Sequence, residues 1–371
     1  MKGKQGVYAV CALLLGAATI LVGFTGAESP VQVRSSAPTA DGWDRAAAEQ
    51  QCANFTTYGM AEEGVYGPWF KAMYDYYGWK NCNRVDNDLS SAEVIAAYEA
   101  EKNNPKAVIA DIGLVFGPIA AQKELTLKYV PAGSEFIPAD YREPDGGWIG
   151  SVVGAVGFTV NEEAVPNPPR SWADLLKPEY KGKIKGINPS SGGTGLMALV
   201  ASNIALGGTE TDFSKGYDFW RQLRSSGNLY DGDCEIPNME RGECGIKIQY
   251  DFFGLSEGVA AMKAKGIKTE FIIPSDGSVW APSALLPNRY TDKPDLAKAI
   301  LDWAMTDQAA IAWAKQYAHP MKQVFGGMVL PADAIQNWLP YSAYVPVKRL
   351  NVLPDVSKVA DEWEAKVLSG G

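Results

Sequence analysis

A short loop of small residues, 187–196, carries the strongest chemical signal in the sequence. It follows a strand-like segment and precedes a long apolar run of good helix formers, so its last residues should begin a buried helix. The first N–H groups of a helix lack partners within the helix, the helix dipole favours negative charge there, and glycine lets a ligand approach the backbone. The loop therefore predicts a site for an anionic group. Its candidate contacts are Ser190, Ser191, Gly193 and Thr194.

Two other interpretations of this loop compete with the anion site. An ordinary helix cap that follows a flexible turn would have a similar composition. A nucleotide-binding P-loop does not fit, because no lysine follows the glycines at the required place.

Residues that commonly perform catalysis are scarce in this chain. Its one histidine, His319, precedes Pro320 just after a predicted helix, and we expect a helix-end residue rather than a base. A Ser-His-Asp or Cys-His mechanism is therefore hard to assemble, and the sequence carries no cofactor fingerprint. We expect no cofactor, no resident metal ion and no enzymatic activity.

The composition is typical of a globular protein. Of the 371 residues, 46% are hydrophobic and 21% are charged, and the chain is long enough for two domains that each bury a core. The formal net charge of −9 argues against nucleic acid or an anionic membrane surface as the main partner. A small anionic ligand remains compatible with this charge, because a ring of N–H donors acts at short range.

The N-terminus has the features of a secretory signal. A positively charged start, the apolar residues 7–24 and the small residues around Ala27 predict a signal peptide over 1–27. An uncleaved membrane anchor is the alternative, because the apolar segment approaches spanning length. Residues 28–45 are predicted to form a disordered leader.

Four cysteines follow the predicted signal peptide, and four cysteines allow three pairings. Proximity in the sequence favours the pairs Cys52–Cys82 and Cys234–Cys244, and disulfides are expected in an exported protein. The competing interpretation is a metal site. It is disfavoured because the chain has no CxxC pair and its single histidine lies far along the sequence.

Strands and helices alternate through the first part of the chain, which predicts an α/β domain with a mostly parallel sheet. Ligands of such sheets gather at the carboxyl ends of the strands. Here those ends carry Thr57, Tyr58 and Gly59, and then Gly113. A glycine-dotted apolar strand over 148–160 would suit a segment that crosses between two lobes.

Three residues in the second half of the chain are further candidates for ligand contact. Tyr250 and Asp251 end a predicted strand, and Trp280 lies on the strand that returns to the first lobe. Asp251 could meet a ligand cation or could equally cap the turn that follows it, where Ser256 is predicted to cap a helix. If the ligand is zwitterionic, Asp251 or Asp276, with the aromatic faces of Tyr58 and Trp280, could hold an ammonium group.

Several segments together resemble the periplasmic solute-binding proteins of bacterial ABC importers. They are the block 165–184 with its Ser171-Trp172 pair, the loop 189–195, the segment 273–277 and the helix that precedes Thr306. The likeness extends over residues 50–325 and is nearest to the branch of ferric-iron, phosphorylated-sugar, aminophosphonate and polyamine binders.

The resemblance implies a type II fold of two α/β lobes, with two crossing strands at the hinge and the ligand in the cleft between the lobes. The expected bounds are 46–150 and 279–371 for the first lobe and 151–278 for the second. The resemblance also implies that the loop 187–196 (the serine-glycine loop) faces the strand end at Thr57 to Gly59 across the cleft. Ferric-iron members place adjacent tyrosines in the second half of the chain, and here no such pair follows Ser190.

The expected function is therefore that of a monomeric periplasmic protein that closes around a small anionic or zwitterionic solute and delivers it to permease membrane subunits. A phosphate ester, a phosphonate or a carboxylate would suit the loop. The alternatives are a ferric-iron or polyamine binder of the same fold, a periplasmic hydrolase or transferase that uses the same cleft, and a sensor partner that presents the solute to a receptor.

Overall fold

The computed structural model of the protein describes residues 42–369. The signal peptide predicted for 1–27 and most of the leader predicted for 28–45 lie outside the described residues. At the end of that leader, the structure is ordered: Asp44 caps the first helix, and Trp43 donates from its ring nitrogen to Asp302 at 2.8 Å. Disorder therefore does not extend to residue 45.

Ten strands in the described part are joined in the order β2-β1-β3-β8-β4-β6-β5, with β7 and β9 beside β4 and β10 beside β8. Their bounds are β1 Phe55–Tyr58, β2 Arg84–Asn87, β3 Ala107–Gly113, β4 Ile149–Asn161, β5 Ile184–Lys185, β6 Ile246–Tyr250, β7 Thr269–Ile272, β8 Ser278–Pro287, β9 His319–Pro320 and β10 Val347–Lys348.

Strands β4 and β8 connect the two lobes, as predicted. The first half of β4, up to Ala155, pairs antiparallel with β8, and its second half, from Val156, pairs antiparallel with β6 and β7. Strands β1, β2 and β3 pair in parallel on one side, whereas β5 and β6 pair in parallel on the other. The parallel pairing predicted for the first part of the chain is thus found among β1, β2 and β3. The whole sheet is mixed, because β8 runs antiparallel to both β3 and β4.

The helices pack on the two faces of this sheet. Their bounds are α1 Arg45–Cys52, α2 Gly67–Tyr77, α3 Ser91–Ala100, α4 Gly117–Gln122, α5 Gly193–Ala205, α6 Ser214–Ser225, α7 Ile236–Glu240, α8 Asp251–Phe253, α9 Ala261–Ala264, α10 Pro294–Ala304, α11 Asp307–Lys315, α12 Met321–Val324, α13 Ala332–Ile335 and α14 Val356–Trp363. Among residues 42–369, no helix combines the length and the apolar character that crossing a membrane would require.

Local sequence signals set several of the helix boundaries. Ser90 and Glu93 form a capping box at the start of α3, where the Glu93 carboxylate accepts from the Ser90 backbone N–H at 2.8 Å. The prediction that Ser256 caps a helix is wrong. The helical stretch already begins at Asp251, and the Ser256 hydroxyl donates back to the carbonyl of Phe252 at 2.6 Å.

Both predicted disulfides are present. Cys52 lies at the end of α1 and Cys82 just before β2, with their Cα atoms 4.8 Å apart. Because β1 and β2 pair in parallel, the two cysteines meet at the same end of these strands. The Cys234–Cys244 bond, with Cα atoms 5.9 Å apart, closes the loop that carries α7 before β6. Both bonds stabilise the fold mainly by restricting the unfolded chain.

Candidate functional site

The serine-glycine loop ends in a helix N-terminus, as predicted, although α5 starts at Gly193 rather than after Thr194. Gly192 occupies the N-cap in an extended conformation, and no side chain accepts a hydrogen bond from the first turn. Most of the 13 residues of α5 are buried, and the positive end of its helix dipole lies at the loop. The first N–H groups are therefore available to an anionic acceptor.

Asn188 holds the loop in shape, and sequence reasoning did not single it out. Its side-chain oxygen accepts from the Ser190 backbone at 3.0 Å and from the Ser190 hydroxyl at 2.8 Å. Its carbonyl accepts from the Ser191 hydroxyl at 2.9 Å. Both predicted serine hydroxyls thus donate within the loop, and Thr194 with the backbone N–H groups of α5 is left as the donor set for a ligand.

The first lobe meets this loop at the end of β3 and the start of α3. The backbone N–H of Ala92 donates to the carbonyl of Ser191 at 3.1 Å. Gly113 and Gly193 touch so closely that a Cβ on Gly193 would lie 2.6 Å from the Gly113 Cα. The Gly113 N–H is fixed from its own lobe, because it donates to the Ser91 hydroxyl at 3.0 Å. The structure is therefore that of a closed cleft.

Buried polar groups adjoin this contact. The Tyr250 hydroxyl lies 3.2 Å from where a Gly193 Cβ would be, and Tyr66, the N-cap residue of α2, lies beside Asp111. Both tyrosines are only 2% exposed, yet neither hydroxyl makes a hydrogen bond to another described residue. Burial raises the pKa of Tyr250 well above its usual range, and the nearby Thr194 hydroxyl opposes that shift. Such buried hydroxyls are costly unless a partner satisfies them.

Asp111 is the carboxyl group beside these tyrosines, and it was missed from the sequence. It lies in the apolar strand β3, and its Oδ1 is buried without a hydrogen-bond partner among the described residues. Burial raises its pKa to about 8, while the Tyr66 and Ser283 hydroxyls oppose the shift and Asp86 adds to it. The detectable signal was an aspartate within the run Val108 to Gly113, because carboxylates are rarely buried without a function or a partner.

The residues predicted at the end of β1 lie close by but are engaged in their own lobe. Thr57 is fully buried and donates to Asp86 at 2.6 Å. The Tyr58 hydroxyl donates to Glu101, at the opposite end of α3 from the cleft; burial first and then Glu101 raise the pKa of Tyr58 to about 12. Gly59 has a φ of 66°, and a Cβ there would lie 2.9 Å from the Asp111 carbonyl, so its backbone borders the Asp111 strand.

Asp251 and Trp280 belong to the hinge and not to the group around the loop. Asp251 is fully buried; its Oδ1 accepts from the Ala155 N–H of β4 at 3.0 Å, and its Oδ2 lies 3.2 Å from Nε2 of His319. The Trp280 ring stacks on Tyr344 with ring centroids 5.4 Å apart. His319 is thus a buried partner of Asp251 in a short strand rather than the helix-end residue expected. Asp276 accepts from the Trp172 backbone N–H at 3.0 Å and is likewise occupied.

Glu257 brings a second, partly buried carboxylate to the contact between the lobes. It lies in the helical stretch after α8, and its side chain packs on the backbone of Gly64 in the segment before α2. Burial raises the pKa of Glu257 to about 7; Lys247 opposes the shift, and Asp88, Glu235 and Glu63 add to it.

This pKa gives a prediction for Glu257→Gln. The folded pKa lies above the unfolded value of about 4.3, so wild-type stability should fall as pH rises between those values. Glutamine carries no charge, and the variant should therefore gain about 1–2 kcal/mol on the wild type between pH 5 and pH 8. Thermal unfolding at both pH values measures this, with the exposed Glu49→Gln as control. A gain that is the same at both pH values would contradict the assigned ionisation.

Clusters of side chains that could coordinate a metal ion were sought among the described residues. Within residues 42–369, no three histidine, cysteine, aspartate or glutamate side chains are grouped so that they could hold one.

Comparison with known proteins defines the class. The family described as bacterial extracellular solute-binding protein matches residues 109–344, which include most of β3, the loop, β6 and both crossing strands. The chain belongs to this family of bacterial solute-binding proteins, and the resemblance found in the sequence is confirmed.

Two relatives and one solved structure extend this result. An uncharacterized protein of Haemophilus influenzae is 30% identical over 237 residues, which cover 60% of this chain and 65% of that protein. A probable ABC transporter periplasmic-binding protein of Sinorhizobium fredii is 26% identical over 284 residues, 72% of this chain and 74% of that protein. The chain thus spans about two thirds of the first relative and three quarters of the second.

The solved structure is a periplasmic binding protein of Actinobacillus pleuropneumoniae with fructose-6-phosphate bound. It superimposes with a TM-score of 0.66 at 20% identity, covering 85% of this chain and 98% of that chain. At this identity the similarity establishes the fold, and the predicted two-lobe type II architecture is confirmed. The lobe bounds at residues 150 and 278 stay predictions.

Proposed function

We propose that the protein is the periplasmic solute-binding component of a bacterial ABC importer, and that it captures a small solute with an anionic group. The signal-like N-terminus and the family support export and solute binding, and the Sinorhizobium fredii relative supports the link to an ABC transporter. Permease membrane subunits are the expected partners, and we expect the protein to act as a monomer without turnover.

The observation that carries this proposal is the uncapped start of α5 beside the buried, unpartnered hydroxyl of Tyr250. A phosphate, phosphonate or carboxylate accepts hydrogen bonds from these N–H groups and from Thr194. These donors stabilise its negative charge, so no counter-ion has to enter the cleft with it. The solute enters when the contacts of Gly113 with Gly193 and of Ala92 with Ser191 separate, and hinging at β4 and β8 re-forms them around it.

The test is a thermal-shift screen of the mature protein against phosphate esters, phosphonates, carboxylates, amines and ferric complexes. A ligand at one hundred times its Kd should stabilise the fold by about 2.7 kcal/mol. For an anionic hit, Thr194→Ala should weaken binding by about tenfold or more, because it removes a hydrogen bond to a charged group.

Ser190→Ala provides the matched comparison within the loop. Its hydroxyl already donates to Asn188, so its effect on affinity should be smaller than that of Thr194→Ala. The exposed Ser225→Ala on α6 serves as the external control. Unchanged affinity in the Thr194 variant would remove the start of α5 from the binding site.

A cationic solute is the second candidate, because four carboxyl groups lie around the closed contact. Asp86, Asp88 and Asp111 of the first lobe and Glu257 of the second all have raised pKa values, chiefly through burial. A polyamine hit in the screen, without any anionic hit, would favour this candidate. The thermal-shift screen also includes ferric complexes, because the phenol groups of Tyr66 and Tyr250 lie beside Asp111.

A further inference from the structure

The carboxylate of Asp111 and the start of α5 belong to one small region of the cleft. Asp111 lies two residues before Gly113, whose Cα touches Gly193 at the first position of α5. Tyr250 lies between them, because its hydroxyl adjoins Gly193 and Thr194 and is also affected by the charge of Asp111. A solute seated at the start of α5 therefore has within its reach a partly buried carboxylate, that of Asp111.

Within the described part of the chain, Asp111 faces no cation. The groups around its carboxylate are the hydroxyls of Tyr66, Ser283 and Tyr250 and the like-charged Asp86. The nearby guanidinium of Arg84 is used elsewhere, in contacts with Thr57, Met60 and Glu62. A buried carboxylate without a cation is unfavourable in its charged form, so a ligand cation would have a large effect on it.

We propose that Asp111 binds a protonated amine of the solute, so that the solute is a small zwitterion with its acid group at the start of α5 and its ammonium group at Asp111. This inference rests on the proposed function and narrows its substrate class. The Tyr66 and Tyr250 hydroxyls complete the subsite, since each can accept from the ammonium group or donate to the acid group.

The raised pKa of Asp111 gives binding a pH signature. With a pKa of about 8, the group is mostly protonated at pH 7 before the solute binds. An ammonium group favours the carboxylate and lowers that pKa, so binding releases a proton to the buffer. Affinity for a zwitterion should therefore rise with pH up to about 8, by at most about tenfold per pH unit. Asp111→Asn removes the titrating group and should abolish both effects.

The experiment compares matched probes that differ only in the amine. The pairs are phosphoethanolamine with ethyl phosphate and β-alanine with propionate, each measured by calorimetry at pH 6, 7 and 8 in two buffers of different ionisation enthalpy. In at least one pair, the amine-bearing probe should bind the wild type about tenfold more tightly than its partner. That preference and the proton release should disappear in Asp111→Asn and persist in the control Asp218→Asn, on α6, whose half-exposed side chain pairs with Arg221.

The outcomes separate this inference from the proposed function. If the two probes of a pair bind equally tightly and release no proton, the proposed role of Asp111 is overturned. The anion site at the start of α5 is not affected by that result. A preference for the amine that survives in Asp111→Asn would also overturn the role of Asp111. Failure of all four probes to bind at 10 mM would contradict both the zwitterion inference and the anion site.

Discussion

Gly193→Ala should weaken solute binding by roughly 5- to 100-fold while leaving the protein folded. The new Cβ would lie 2.6 Å from the Cα and 3.3 Å from the backbone nitrogen of Gly113 in the opposite lobe. Backbone atoms cannot swing aside as a flexible side chain can, and overpacking of this kind typically costs about 1–3 kcal/mol. Because alanine is the better helix former, α5 itself should not be weakened. The closed state carries most of the penalty, because the other close atom, the Tyr250 hydroxyl at 3.2 Å, is the end of a side chain that can shift.

Gly192→Ala is the matched control, one residue earlier in the same loop. Gly192 is extended with a φ of −160°, and the nearest atom to a Cβ there is the Ser90 Cβ at 3.9 Å. Its affinity should stay within about twofold of the wild type. Calorimetry with a hit from the screen gives the affinities, and small-angle scattering with the same compound shows whether Gly193→Ala fails to become compact. Equal affinities for the two variants would contradict closure through the contact between Gly113 and Gly193.

Asp251→Ala should destabilise the protein by about 3–5 kcal/mol, the second large effect. The substitution leaves the buried N–H groups of Ala155 and Phe252 without their acceptor and removes the partner of His319. Asp251→Asn keeps an acceptor oxygen and the side-chain shape, so it should lose less, about 1–2 kcal/mol. Denaturant unfolding measures these losses.

Two further variants make the Asp251 result specific. If His319 acts through Asp251, the double variant Asp251→Ala/His319→Ala should be less destabilised than the sum of the single variants. Asp361→Ala, an exposed position on α14, should stay within about 0.5 kcal/mol of the wild type. A loss below 1 kcal/mol in Asp251→Ala would show that this carboxylate does not hold β4 against the C-terminal segment.

The architecture was predictable from the sequence because its signals are local. Glycines in an apolar strand marked the crossing segment, the pairing of Cys52 with Cys82 followed from their proximity in the sequence, and the Ser90–Glu93 box fixed the start of α3. The mixed character of the sheet was missed, because strand direction depends on how β4 and β8 return between the lobes.

The composition of the site was only partly predictable. The Gly193 and Thr194 positions could be read from the loop, since uncapped N–H groups follow from the sequence of a strand, a glycine loop and a helix. The occupation of both serine hydroxyls by Asn188 could not, because it depends on the loop conformation. For Asp251 the sequence left open a ligand cation and a cap for the following turn. Its Oδ1 accepts from the Phe252 N–H of that turn, whereas its partner His319, 68 residues away, could not be read from the sequence.

The crystal structure of the mature protein with its solute is the most direct test of the central claim. We predict that an acid group of the solute accepts hydrogen bonds from the N–H groups at the start of α5 and from Thr194, with Gly113 closing over it. A bound solute that contacts neither lobe at Gly113 and Gly193 would contradict it.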